Sequence, residues 1–278
     1  MRRLGWLLLA PALAANAAPE DDELFDYLLA PETSSTLTGQ IGFSSDTQSL
    51  AIGYAYDSDR IDRISVNANR SDDSRRANGD ATQWGANWDS RYFGDWSGGV
   101  GFSAWESVDT LKVRDYVVSL TWWGPQYSLQ LKPGYRQITL DTRRDSRSEH
   151  AVSLGATARL RDLTIGYTGY DYSIDLDRLE AAIRNRRIRV PASFLDLIFS
   201  LEKRRFSVDY RVPLRQSDIG LRFDRSVSAL DSQRLDWISG YVGFDISERW
   251  DGTFEIGRSA PEGDEAVAVA TVGVGYHW

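Results

Sequence analysis

From Thr36 onward the chain is a succession of segments, about ten residues each, in which apolar and polar side chains alternate. Residues 49–56 (SLAIGYAY), 81–89 (ATQWGANWD), 116–122 (YVVSLTW), 163–172 (LTIGYTGYDY) and 250–257 (WDGTFEIG) are clear cases. Period two sends successive side chains to opposite faces of a strand. Within 150–160, Val152, Leu154, Ala156, Ala158 and Leu160 share one face against Ser153, Gly155, Thr157 and Arg159. Within 206–212, Phe206, Val208, Tyr210 and Val212 oppose Ser207, Asp209 and Arg211. Such a chain has two all-β solutions. A sandwich turns its apolar faces inward, and a closed barrel in a bilayer turns them outward.

Four further features favour the barrel. Met1-Arg2-Arg3, an apolar stretch over 4–13 and Ala15-Asn16-Ala17 have the layout of a secretory signal peptide cut after Ala17. Past residue 17 no run of about eighteen apolar, uncharged residues exists, so no helix crosses a membrane. Aromatic residues gather at strand ends (Trp84, Trp88, Trp105, Trp122, Trp123, Trp237 and Trp250), where amphipathic rings suit the headgroup level. Connections alternate in length: short at 57–60, 161–162, 202–204 and 247–249, long at 72–80, 141–149, 174–191 and 260–265.

Composition removes other classes. The chain has no cysteine, which excludes disulfide scaffolds, thiol catalysis and thiolate metal sites. His150 and His277 are its two histidines, far apart in sequence. A formal net charge of −8 argues against nucleic acid as a partner. No sequence signal indicates a cofactor or a bound metal, and no phosphate-binding glycine loop or zincin helix occurs.

The last segment, 272–278, ends on Trp278, with Tyr276, Val274, Val272 and Ala270 at alternate positions before it. In this the chain resembles bacterial outer-membrane β-barrel proteins of the porin-like class. The resemblance implies an antiparallel transmembrane barrel in the outer membrane of a Gram-negative bacterium. It also implies recognition of the final strand by the barrel-assembly machinery through Trp278, Tyr276 and Val274. The expected organisation is a signal peptide at 1–17, a short periplasmic segment at 18–35 with a helix over 21–29, and a barrel over 36–278.

Fifteen candidate segments are visible, but single-chain bacterial barrels have even strand numbers. Joining the two pieces around Pro213, over 205–226, into one strand gives fourteen, with twelve or sixteen as alternatives. Counting off the apolar faces places Asn67, Asn69, Asn87, Asp89, Lys132, Arg136, Arg159, Asp196, Asp209, Arg211, Arg222, Asp224, Asp251 and Glu255 inside. Opposite charges two residues apart, Asp209 with Arg211 and Arg222 with Asp224, suggest either opposed ladders with a transverse field favouring polar solutes, or a salt-bridged lumen that conducts little.

The stretch 175–187 reads as a helix with Leu176, Leu179 and Ile183 on one face and arginines at its end. Its cluster of Arg184, Arg186, Arg187 and Arg189 would narrow a pore or bind lipopolysaccharide phosphates. Catalysis is not expected: Ser148 and His150 have a hydrolase-like spacing without a third group to orient the base. The functional expectation is a porin-like channel for small hydrophilic solutes. The alternative is a non-conducting envelope barrel that binds lipopolysaccharide or polysaccharide.

Overall fold

In the computed structural model, residues 33–278 are described except 45–46, 59–61, 74–80, 91–92, 108–110, 142–145, 174–200, 216, 230–231 and 264. The expected signal peptide, the helices at 21–29 and 175–187, the four loop arginines and Asp196 all lie outside the described residues. Fourteen strands account for the regular structure described. They are β1 (Thr33–Ser44), β2 (Thr47–Ser58), β3 (Asp62–Asp73), β4 (Ala81–Asp89), β5 (Trp96–Ser107), β6 (Leu111–Trp123) and β7 (Tyr127–Asp141). Then follow β8 (Ser146–Leu160), β9 (Leu163–Tyr172), β10 (Glu202–Leu214), β11 (Ser217–Ser228), β12 (Arg234–Ser247), β13 (Trp250–Pro261) and β14 (Val267–His277). Each pairs antiparallel with its sequence neighbours, and β1 pairs with β14, so the sheet closes as a fourteen-stranded barrel. Both expectations hold: the architecture is all-β, and the count is fourteen.

The count is reached differently from the sequence reading. Residues 205–226 belong to two strands, β10 and β11, with Pro213 opposite Asp218 near the end of β10. Pro213 lacks an N–H, and a central strand would lose a ladder bond to it. The pairing of β10 with β9 ends at Tyr210–Leu163, so Pro213 has only one flank to satisfy. Residues 202–204, expected as a turn, open β10 instead, with a register shift between Glu202 and Arg204. A bulge of that kind accommodates one extra residue without ending the strand.

One set of alternate residues faces outward all the way round. Tyr116 opposes Tyr135, Tyr135 opposes Val152, and at the closure Ile41 opposes Val272. This face is apolar and exposed, with Leu50 at 60%, Val152 at 59% and Leu221 at 62% exposure. A sandwich would bury such residues, whereas a bilayer covers them with lipid tails.

Aromatic rings border this band at both ends. Trp84, Phe102, Tyr116 and Tyr135 follow one another at centroid spacings of 4.8, 5.1 and 6.4 Å toward the long-loop end. At the end carrying the termini, Trp250, Tyr276, Trp278 and Tyr54 are spaced at 4.7, 5.5 and 6.1 Å. Trp105, Trp123 and Trp237 are not in these girdles. Trp105 opposes Gln83, Trp237 opposes Asp224, and Trp123 donates its indole N–H to Ser97 at 2.9 Å, all on the inner face. Spacing marks strand ends, but a single residue of parity decides inside from outside.

The closing seam rests on Trp278. Its N–H donates to the Ser35 carbonyl at 3.0 Å, and its own carbonyl accepts from Ser35 at 2.9 Å. Trp278→Ala keeps these backbone bonds and removes two ring contacts, each worth about 0.5–1.5 kcal/mol. The expected loss of about 1–3 kcal/mol is checked by the urea midpoint of the barrel in vesicles.

Candidate functional site

Fourteen strands tilted by about 40° and spaced about 4.8 Å apart close into a cylinder roughly 28 Å across the backbone. What lines it decides what such a cylinder does. The register puts Asn67, Asn69, Asn87, Asp89, Lys132, Arg136, Arg159, Asp209, Arg211, Arg222, Asp224, Asp251 and Glu255 on the inner face.

The charges pair between strands rather than along them. Arg222 donates to Asp209 at 3.0 Å across the β10–β11 ladder and lies 3.5 Å from Glu255 on β13. Arg205 reaches Asp224 at 3.2 Å, and Arg211 reaches Asp218 at 3.1 Å. Tyr241 donates its hydroxyl to the other Asp209 oxygen at 3.0 Å. Ser239 donates to Glu255 at 2.5 Å and accepts from the Trp237 indole at 3.1 Å. The pairing follows the salt-bridged alternative rather than opposed ladders. These acids and bases neutralise one another side by side on the wall formed by β10 to β13, because cross-strand neighbours lie close enough to interact directly.

Glycines on the inner face let these long side chains lie flat. The Tyr241 ring lies over Gly220, where a Cβ would run into it, and Trp237 covers Gly257. Gly220→Ala therefore displaces Tyr241 and its bond to Asp209. The expected cost is about 1–3 kcal/mol in urea unfolding. In the Tyr241→Ala background the same change should be nearly neutral, as a double-mutant cycle would record.

A second station sits on β6 to β9. The Arg136 guanidinium grips Asp115 through two bonds of 2.6 and 3.1 Å. It also lies 4.4 Å over the Tyr170 ring and within 3.5 Å of the Tyr172 hydroxyl. Tyr172 in turn donates to the Glu202 carbonyl at 2.7 Å, which ties β9 to the start of β10. Beside it the inner face becomes apolar: Val113, Ile138, Leu201 and Ala229 are buried together, with Trp105 and Tyr172 packed against them. Sequence reasoning missed this cluster, although Val113 shares the parity of Asp115. Lower in the lumen, Lys132 on β7 and Asp89 on β4 also face inward. Arg159 donates to the Arg161 carbonyl at the β8–β9 turn, 3.2 Å away.

His277 holds a structural place at the rim beside Tyr276, as its position in the last strand suggests. Its ring lies inside the rim at the termini, where Thr36 on β1 meets Nδ1 at 3.1 Å and the Asp251 carboxylate on β13 meets Nε2. Asp251 is thus a seam partner as well as a lumen residue. Ser148 and His150 share the outer face. Ser148 bonds to Thr139 and Gln137, while the His150 ring stacks on Tyr135 at 5.9 Å.

No family model matches the chain, and no curated protein matches it. Among solved structures, it is similar to the Acinetobacter baumannii outer membrane protein Omp33, at 10% identity and a TM-score of 0.49. That match covers 89% of this chain and 99% of the other. It is similar to the NanC porin at 9% identity and a TM-score of 0.48, covering 87% and 98%. The KdgM porin matches at 10% identity and a TM-score of 0.44, again covering 87% and 98%. At this distance, what the barrel does must be read from its own residues.

Proposed function

We propose that this chain is an outer-membrane channel through which small hydrophilic solutes pass passively, without catalysing a reaction. The observation that carries the reading is the contrast between the two faces of one closed sheet. The outside is apolar and bordered by aromatic rings, and the inside holds ion pairs such as Asp209–Arg222–Glu255 and Arg136–Asp115. Charged groups at membrane depth are tolerated where water or ionic partners surround them. Because most of these charges are paired along one wall, selectivity among small polar solutes is weak. The apolar cluster around Val113 and Ile138 lies on the inner face toward the long-loop end.

Purified protein in planar bilayers should give discrete conductance steps. A membrane that stays silent at every applied voltage, with folded barrel present, removes the proposal and favours the structural barrel. The signal peptide at 1–17 and the recognition of Trp278, Tyr276 and Val274 by the assembly machinery belong to the same proposal. So does binding of lipopolysaccharide phosphate, or constriction of the pore, by Arg184, Arg186, Arg187 and Arg189. The outer membrane of a Gram-negative bacterium is the location it requires.

A further inference from the structure

The outer face is not uniformly apolar. At the long-loop end of β10 to β13, Arg204, Arg225 and Arg258 point outward with Asp236. Arg225 and Asp236 clasp each other through bonds of 2.7 and 2.8 Å, and the Arg225 guanidinium lies 5.5 Å from the Phe223 ring. With Arg234 and Glu262 at the same ends of β12 and β13, four guanidiniums face two carboxylates, which leaves this patch cationic beside the upper aromatic border. Arg258 stands opposite Ile238 and Ala268.

Directly below Arg258 the surface is hollow. A shallow, open groove of about 340 Å³ is lined by Leu221, Ile238, Gly240, Ile256, Ala268 and Arg258 itself. A second depression of about 210 Å³ adjoins it, sharing Ile256 and Ala268 and reaching Phe43 and Ala270 on the far side. The hollow exists because Gly240, Ala268 and Ala270 occupy outward positions that elsewhere carry Leu, Ile or aromatic residues. A Cβ on Gly240 would meet Leu221 Cδ2 at 3.7 Å and the Gly220 carbonyl oxygen at 3.9 Å, both ordinary contacts, so a side chain has room there.

We infer that this groove and its arginines form a binding site for lipopolysaccharide, with an acyl chain in the hollow and a lipid A phosphate on Arg258 and Arg225. The inference rests on the membrane placement of the barrel, with the long-loop end outside, and not on conduction. Two features select this occupant. The hollow runs from the headgroup level into the hydrocarbon, as an acyl chain under its own headgroup would. The charge above it complements a phosphate: Arg258 offers a guanidinium fork for two parallel bonds, and Arg225, whose Nε and Nη2 already hold Asp236, adds its remaining N–H groups.

The test uses full-length protein in detergent and hexa-acylated, bisphosphorylated lipid A, with bound lipid counted by native mass spectrometry. Gly240→Leu fills the groove while leaving every charge in place, and Arg225→Ala with Arg258→Ala removes charge while leaving the groove. Each should lower lipid A affinity at least tenfold. Arg114→Ala, an outward arginine on β6, should change it less than twofold. Dephosphorylated lipid A and phosphatidylglycerol should both bind at least tenfold more weakly than lipid A. The proposal falls if Gly240→Leu binds like the wild type, if Arg114→Ala is as damaging as the double variant, or if phosphatidylglycerol binds equally well. None of these variants alters the lumen. A barrel that binds lipid A but never conducts would overturn the channel reading and leave this site standing.

Discussion

Leu131→Arg should destabilise the barrel by about 2–4 kcal/mol, whereas Gln130→Arg, one residue earlier, should change stability by less than about 1 kcal/mol. Leu131 lies on the outer face of β7, 45% exposed, opposite Leu120 and Ala156. Tyr127 and Tyr135 bracket it four positions away on either side, marking the two borders of the apolar band. Eight residues of strand extend about 27 Å, or roughly 21 Å along the membrane normal at a 40° tilt. Leu131 is therefore at the middle, where a guanidinium is furthest from water. Gln130 opposes Thr121 and Thr157 on the inner face, where an added arginine stays hydrated. Urea unfolding in phospholipid vesicles measures both. Equal losses at 130 and 131, or a larger loss at 130, would mean that the apolar face is not the lipid face.

That contrast depends on parity, which is the part of this fold most legible in the chain. Alternation over 150–160 and 206–212 assigned both faces of β8 and β10, and the even-number rule for barrels led to fourteen. Three features resisted. Pro213 reads as an interruption within one strand, but its position beyond the end of β9 makes it the last stretch of a strand before a turn. Trp105 and Trp237 read as girdle residues because local spacing does not tell whether an aromatic at a strand end has inward or outward parity. Pairing was the hardest to read. Asp209 and Arg211 are neighbours on one face, yet Asp209 bonds to Arg222 and Tyr241 while Arg211 turns to Asp218. Those choices follow from the stagger between β10, β11 and β12, which no single strand encodes. The Thr36–His277–Asp251 contact likewise needs the first strand to meet the last, a consequence of closure that local pattern cannot supply.

Arg222→Glu should raise the cation-to-anion permeability ratio about tenfold. Arg222 sits between Asp209 and Glu255, at 3.0 and 3.5 Å, and is the cation that neutralises this part of the wall. Replacing it with a carboxylate alters the local charge by two units. At about 6 Å through water, screened as at 0.1 M, each unit attracts a passing cation by roughly 0.4 kcal/mol and repels an anion by as much, so two units supply about 1.5 kcal/mol, a factor of about ten. Arg222→Gln changes one unit and should give about a threefold effect, so the two variants form a graded pair. Screening makes the effect depend on salt: with a Debye length near 10 Å at 0.1 M and 3 Å at 1 M, most of it should vanish at the higher concentration. Reversal potentials under a potassium chloride gradient report the ratio directly. If the wild type conducts and both variants keep its reversal potential at 0.1 M, solutes do not pass this wall, and the path must run along the β1 to β5 side of the lumen.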